Sequence, residues 1–217
     1  MNEDFAREEM CRIGRSLFER GYVHATAGNI SARLQDGLLI TPTDACLGFL
    51  QPDAIAKVDL QGNAAKGERP SKTLALHLAI YRAAGSAAGC IIHTHSTNCV
   101  ALTLSPVEGD LLPPITPYFV MKVGHVPVIS YRRPGDPEVA ALVTNEIEAH
   151  AEKGTPIRAV MLARLGPNVW HETPAQAMAV LEELEETARL WRSTVPRPEP
   201  LPAAAIDELR STFGASW

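Results

Sequence analysis

Apolar residues recur at helical spacing near the start of the chain. Met10, Ile13, Gly14, Leu17 and Phe18 fall on one side and Arg12, Arg15 and Glu19 on the other, with Gly21 following as a left-handed stop. This predicts an amphipathic opening helix. The period then shortens to two: residues 27–34, a turn at Asp36-Gly37 and residues 38–41 predict a hairpin, and residues 55–60 predict another strand. Residues 67–73 lead into a helix with Leu74, His77, Leu78 and Tyr81 on one face. The apolar run 90–92 predicts a strand and residues 95–104 a helix, followed by a loop holding Pro106, Pro113, Pro114 and Pro117. Residues 118–122 and 126–130 read as extended. Asp136-Pro137 opens a helix through Val139, Leu142, Val143 and Ile147, and residues 157–163 form a buried strand. Gly166-Pro167 turns the chain, and Thr173-Pro174 starts a long helix carrying Met178, Leu181, Leu184, Ala188 and Trp191. The acidic run 182–186 reads as that helix's solvated face. Pro196, Pro198, Pro200 and Pro202 stiffen a linker to a short last helix over residues 203–213. That tail is too short to fold alone and must pack on its own subunit or a neighbour. The division expected is a main domain, 1–195, and a proline-rich tail, 196–217. Helices between strands throughout predict a layered α/β domain.

Composition narrows the partners. The net charge is −5 with 21% charged residues and no basic run, which argues against nucleic acid. No apolar run approaches the ~20 residues of a membrane span, and the acidic first residues do not resemble a secretory signal. The expectation is a cytoplasmic protein whose Cys11, Cys46, Cys90 and Cys99, lacking paired spacing, stay reduced.

The candidate chemistry begins at His93-Thr94-His95. On an extended strand this spacing sends both imidazoles to one face, where a single divalent cation can touch both. The bland alternative is two histidines that only hydrogen bond. Ser71 and Lys72 at a helix start suit an anion through free amides, the dipole and the ammonium, against the simpler reading of a capped helix with a solvated lysine. Gly28-Asn29 precedes the first strand, where turn chemistry alone is the simpler role.

The order of 28–31 (Gly-Asn-Ile-Ser), 39–43 (Leu-Ile-Thr-Pro-Thr), Pro70-Ser71, His93-Thr94-His95 and Gly166-Pro167 resembles the class II aldolase and adducin family over nearly the whole chain. Within it, residues 112–118, 120–124 and 133–137 look most like the 3-oxo-tetronate 4-phosphate decarboxylases. The resemblance implies a three-layer α/β/α fold around a mostly antiparallel sheet, a homotetramer with sites at subunit boundaries, and a lyase acting on a phosphorylated sugar acid. It maps a phosphate pocket onto Gly28, Asn29, Thr43, Asp44, Ser71 and Lys72, and a divalent metal, usually zinc, onto His93 and His95.

Two positions depart from the family pattern. Its third metal histidine is Leu165 here, and its acidic residue is Thr73. A catalytic zinc normally keeps three protein ligands, so the loss weakens binding, and Arg164 adds positive charge if it points inward. His77, His125 and His171 are the substitutes considered. Aldol cleavage needs both a base and a Lewis acid, whereas β-keto acid decarboxylation needs only an electrophile near the ketone oxygen. Lys72, or a weakly held metal on His93 and His95, would polarise the ketone, and Tyr118 would protonate the carbanion. The competing reading is a catalytically impaired binding or scaffold subunit.

Overall fold

The computed structural model describes residues 2–65 and 68–217. Met1, Lys66 and Gly67 lie outside them, and with Gly67 the head of the run expected to lead into the second helix. The strands are β1 (Asn29–Arg33), β2 (Leu38–Ile40), β3 (Ala56–Val58), β4 (Cys90–His93), β5 (Val128–Ile129), β6 (Ala159–Leu162) and β7 (Gly166–His171). They form one sheet in the order β3-β2-β1-β4-β7-β6-β5, antiparallel at every pairing except β5 with β6. The helices are α1 (Glu3–Glu19), α2 (Leu74–Ala84), α3 (Thr97–Leu102), α4 (Pro117–Lys122), α5 (Glu138–Glu152), α6 (Pro174–Ser193) and α7 (Ala203–Phe213).

Alternation along the strands supplies two cores. Ile30, Cys90, Ile92, Met161 and Val169 join Met10, Ile13 and Leu17 of α1 and Leu181 and Leu184 of α6 on one face. Leu38, Ile40, Ile91, Val160 and Trp170 join Ile80 and Tyr81 of α2 and Val143 and Ile147 of α5 on the other. A strand covered on both faces has no reason to alternate apolar with polar, which is why 90–92 is a continuous apolar run. The three-layer α/β/α arrangement around a mostly antiparallel sheet follows.

Several local expectations shift. Residues 118–122 are helix, not extended chain: Thr116 caps α4 by accepting from the Phe119 amide at 3.1 Å, and Pro117 occupies the first turn. The second helix begins at Leu74, with Ser71 one turn earlier, where its carbonyl accepts from the Leu74 amide. The acidic run of α6 is not wholly solvated. Glu185 is buried and accepts from the Asn98 amide at 2.8 Å, the Asn98 side chain at 2.9 Å and the Cys99 amide at 3.0 Å. A carboxylate there meets the free donors and positive dipole end of α3, the helix that starts directly after His95.

The tail packs on its own chain. The Leu201 amide donates to the Pro114 carbonyl at 2.8 Å, α7 lies against α4, and the Trp217 ring stacks on His125 with centroids 4.3 Å apart. All four cysteines are free. Among the described residues no helix is long and apolar enough to cross a membrane.

Two stability predictions follow from buried polar groups. Replacing Glu185 with alanine strands the α3 donors and should cost about 2–3 kcal/mol by urea unfolding, whereas Glu186→Ala, which removes an exposed ion pair with Arg189, should cost about 0.5 kcal/mol or less. Equal midpoints for the two variants would remove the capping role. His77 is fully buried with Nδ1 2.7 Å from Ser31 Oγ, and burial, then the neighbouring His93, push its pKa down to about 3. The unfolded chain therefore binds a proton that the folded chain refuses, so stability should fall as pH drops from about 6.5 towards 3. His77→Gln should flatten the part of that loss between pH 6.5 and 5, and an unchanged slope there would contradict the assignment.

Candidate active site

Register builds the floor of the site. Asn29 of β1 lies opposite His93 of β4, and His93 lies opposite Asn168 of β7. Residues directly opposite in antiparallel strands share a face, so three polar side chains form a row on the α2/α5 side of the sheet. Two glycines permit the close approach. A Cβ on Gly28, whose φ is +84°, would sit 2.7 Å from the His93 carbonyl oxygen, and one on Gly166 would sit 1.9 Å from that of Thr94. The chain leaves β4 so that the His95 ring stands at 68° to that of His93, with centroids 5.2 Å apart.

Above this row opens a cavity of about 480 Å³, within the range of small-molecule sites (roughly 300–1,000 Å³). Its lining includes Gly28, Asn29, Thr43, Asp44, Ser71, Lys72, His93 and His95, so all the residues expected to hold phosphate and metal are brought together. The N-terminal turn of α2 contributes Ala75 and Leu76 to the wall. Among the described residues, the amides of Gly28, Asp44 and Lys72 make no hydrogen bond within the protein. Unpartnered backbone donors beside a helix N-terminus are the elements of an anion cradle.

Asp44 has φ +58°, and its carboxylate faces the Lys72 ammonium at 3.6 Å, with both side chains mostly exposed. A carboxylate repels phosphate, so Asp44 can serve an anion only through its amide and by holding Lys72. The described non-glycine residues with positive φ are Ala25, Asp44 and Arg164, each in the cavity wall or next to a residue that is.

The histidine pair fits a divalent cation in its donor chemistry. His93 Nδ1 donates to the Pro167 carbonyl at 2.9 Å, which leaves Nε2 as the free lone pair, the orientation that outer partners impose on metal-binding imidazoles. Burial, with the His95 imidazole adding to it, lowers the His93 pKa to about 4, and burial followed by His24 lowers that of His95. Both rings are therefore neutral donors at neutral pH. Leu165 lines the same cavity and offers no donor, and the Thr73 hydroxyl is paired with Ser71 Oγ at 2.9 Å. Arg164 points away, its amide donating to Thr103 Oγ1 and its guanidinium to the Leu104 carbonyl.

None of the three substitute histidines reaches the pair. His77 is engaged with Ser31 on the same face of the sheet, where among the described residues the two other rings form no ligating group with it, His125 is bound to Asp110 under Trp217, and His171 lies at the far end of β7 opposite Cys90. Tyr118 is likewise not at the cavity of its own chain. It sits 58% exposed on α4, which packs with α6 and α7 on the other sheet face.

Sequence reasoning missed three residues here. Asn168 is 1% exposed in the wall with both amide atoms unpartnered, and Asn29 Oδ1 on the other side of His93 is also unpartnered, so the floor holds buried polar atoms that nothing within the protein satisfies. Arg133 also lines the cavity, exposed and with no carboxylate partner among the described residues. His24 stands near His95, with ring centroids 6.4 Å apart. Asn168 becomes visible only through strand pairing with His93, and the other two belong to loops.

The comparisons agree with this architecture. The model of the Class II Aldolase and Adducin N-terminal domain matches residues 8–192. A 3-oxo-tetronate 4-phosphate decarboxylase from Cupriavidus necator is 53% identical over 99% of both chains, and one from Escherichia coli K12 is 42% identical over 96% of this chain and 97% of its own. The crystal structure of YgbL from Klebsiella pneumoniae superposes with a TM-score of 0.87 at 40% identity, covering 97% of this chain and 100% of that one. An L-fuculose 1-phosphate aldolase gives 0.80 at 26% identity over 96% of both chains. The chain belongs to the class II aldolase and adducin family.

Proposed function

We propose that this chain is a lyase that decarboxylates a phosphorylated sugar acid, 3-oxo-tetronate 4-phosphate, working in the cytoplasm as a homotetramer. The observation that carries the reading is one cavity lined both by unpartnered amides with Lys72 and by two neutral imidazoles.

Gly28, Asp44 and Lys72 hold the phosphate through their amides, with Ser71, Thr43, Asn29 and the Lys72 ammonium around them. Arg133 adds a second cation for a multiply anionic substrate. With the phosphate fixed, the ketone oxygen lies towards His93 and His95. The C1–C2 bond breaks, its electron pair passes to C2–C3, the ketone oxygen becomes an enolate oxygen, and C1 leaves as carbon dioxide. The enolate then takes a proton at C2. No hydroxyl proton has to be removed, so the loss of an acidic residue at Thr73 leaves this reaction open while hindering aldol cleavage. His93 and His95 would hold a divalent ion, zinc by its preference for imidazole. When bound it supplies positive charge to the developing enolate oxygen. Leu76, Leu162 and Leu165 form an apolar wall that suits neutral carbon dioxide better than a carboxylate. Tyr118 keeps its role as proton donor only if its exposed position on α4 reaches the cavity of a neighbouring copy.

The scaffold reading draws on Leu165 and Thr73 and is decided by the same experiment. The purified chain, supplied with zinc, should release carbon dioxide from 3-oxo-tetronate 4-phosphate, and no release would favour the scaffold. Lys72→Ala should weaken phosphate-ester binding about 10–100-fold by calorimetry, as expected for one lost charge-assisted contact. Unaltered affinity would make Lys72 a solvated lysine paired with Asp44.

A further inference from the structure

Antiparallel pairing makes Gly28 before β1, Asp44 after β2, His95 after β4 and Leu165 before β7 all leave the sheet at one end. β5 is parallel to β6, so the chain leaves β5 at that same end and brings Arg133 into the cavity wall. The turn that carries it is held at both sides. Pro134-Gly135 forms a type II turn, with φ +75° at Gly135 and the Asp136 amide donating to the Arg133 carbonyl at 3.1 Å. Asp136 Oδ1 then accepts from the Glu138 amide at 3.0 Å, at the start of α5.

The charges of the wall leave this cation uncommitted. Lys72 faces Asp44, Asp136 is engaged at the helix start, and the neighbouring Arg132 faces Glu138 at 3.4 Å. Arg133 is exposed and faces no carboxylate among the described residues. Its place in the order of strands says which anion it meets. The phosphate cradle hangs on β2 and β1, the imidazoles on β4, and beyond β4 come Asn168 on β7 and Arg133 after β5. The substrate of the proposed reaction carries its groups in the same order, with phosphate on C4, ketone at C3 and carboxylate at C1.

We propose that Arg133 determines the specificity of the site by binding the C1 carboxylate of the substrate, so that a phosphorylated acid is selected over a phosphate ester without an acid group. This rests on reading the cradle as the phosphate site of a decarboxylase. A guanidinium meets a carboxylate through two parallel N–H donors. Negative charge leaves C1 for the ketone oxygen as the bond breaks, so the pair is strongest in the bound substrate and weaker in the transition state. Arg133 therefore supplies affinity and orientation and does not accelerate the bond cleavage. Its exposure to solvent screens the pair and keeps small the barrier that such a contact adds.

The test uses the full-length chain and two phosphate esters that cannot lose carbon dioxide. One is 4-phosphoerythronate, which keeps both anions but has a hydroxyl at C3; the other is dihydroxyacetone phosphate, the three-carbon ketone left when C1 departs. By calorimetry, Arg133→Ala should bind the acid about 10-fold more weakly or worse and dihydroxyacetone phosphate unchanged, whereas Lys72→Ala should weaken both. In carbon dioxide release, Arg133→Ala should raise KM with kcat unchanged, and Arg133→Lys should recover part of the loss. Arg132→Ala should alter neither affinity. If Arg133→Ala binds both esters as the unsubstituted chain does, or loses both equally, Arg133 reads no carboxylate and the inference fails, while carbon dioxide release still upholds the decarboxylase. If the chain prefers the acid through Arg133 yet releases no carbon dioxide, the decarboxylase reading falls and the acid specificity stands. A chain that binds neither ester contradicts both.

Discussion

The pairing register of β1, β4 and β7 is the constraint on which everything else rests. It sets Asn29, His93 and Asn168 side by side on one face of the sheet. A slip of one residue in β4 would turn His93 into the α1/α6 core and send Ile92 into the cavity, replacing an imidazole there by a hydrocarbon and burying the imidazole without a partner. Gly28 and Gly166 lock the register, because backbone carbonyls of β4 and the residue after it occupy the space where a Cβ would lie. The same pairing brings the Pro167 carbonyl to His93 Nδ1, so the strand geometry also decides that Nε2 keeps the free lone pair.

Around this floor the charges are divided by position. Buried groups in the wall are neutral, with His93 held below its ordinary pKa by its surroundings. The cationic side chains, Lys72 and Arg133, stay at the exposed rim, where they attract an anion without paying the cost of burial. Behind the site, Glu185 crosses from α6 to the first amides of α3, fixing the segment that follows His95 from the opposite side of the sheet. One carboxylate thus ties the long helix to the loop that aims an imidazole.

Local signals were readable and distant ones were not. The His-x-His spacing at a strand end, the Ser71-Lys72 approach to a helix and the Thr173-Pro174 start of α6 each depend on a few adjacent residues; the structure has Thr173 capping α6, His93 ending β4 with His95 two residues beyond it, and Ser71-Lys72 in the turn before α2, which Thr73 and not Ser71 caps. The short helix α4 was hidden because its Thr116-Pro117 cap lies in a proline-rich run that reads equally well as extended chain. Glu185 looked solvated because its run is acidic, and its partners lie 86 and 87 positions away. Tyr118 was assigned by motif, and a motif does not say which face of the sheet its helix will cover. Asn168 and Arg133 depend on strand pairing and loop return, which no spacing rule contains. His24 belongs to a turn with no recognisable pattern, and only the folded chain brings it near His95.

The central claim is that one cavity grips phosphate at the Gly28, Asp44 and Lys72 amides and polarises its ligand at His93 and His95. The most direct measurement is a crystal structure of the chain soaked with cobalt(II) and inorganic phosphate, with the ion located by anomalous scattering. The account predicts one anomalous peak about 2.1 Å from ring nitrogens of both His93 and His95, with phosphate on the three amides. A phosphate bound elsewhere, or an ion that ignores the histidine pair, would contradict it.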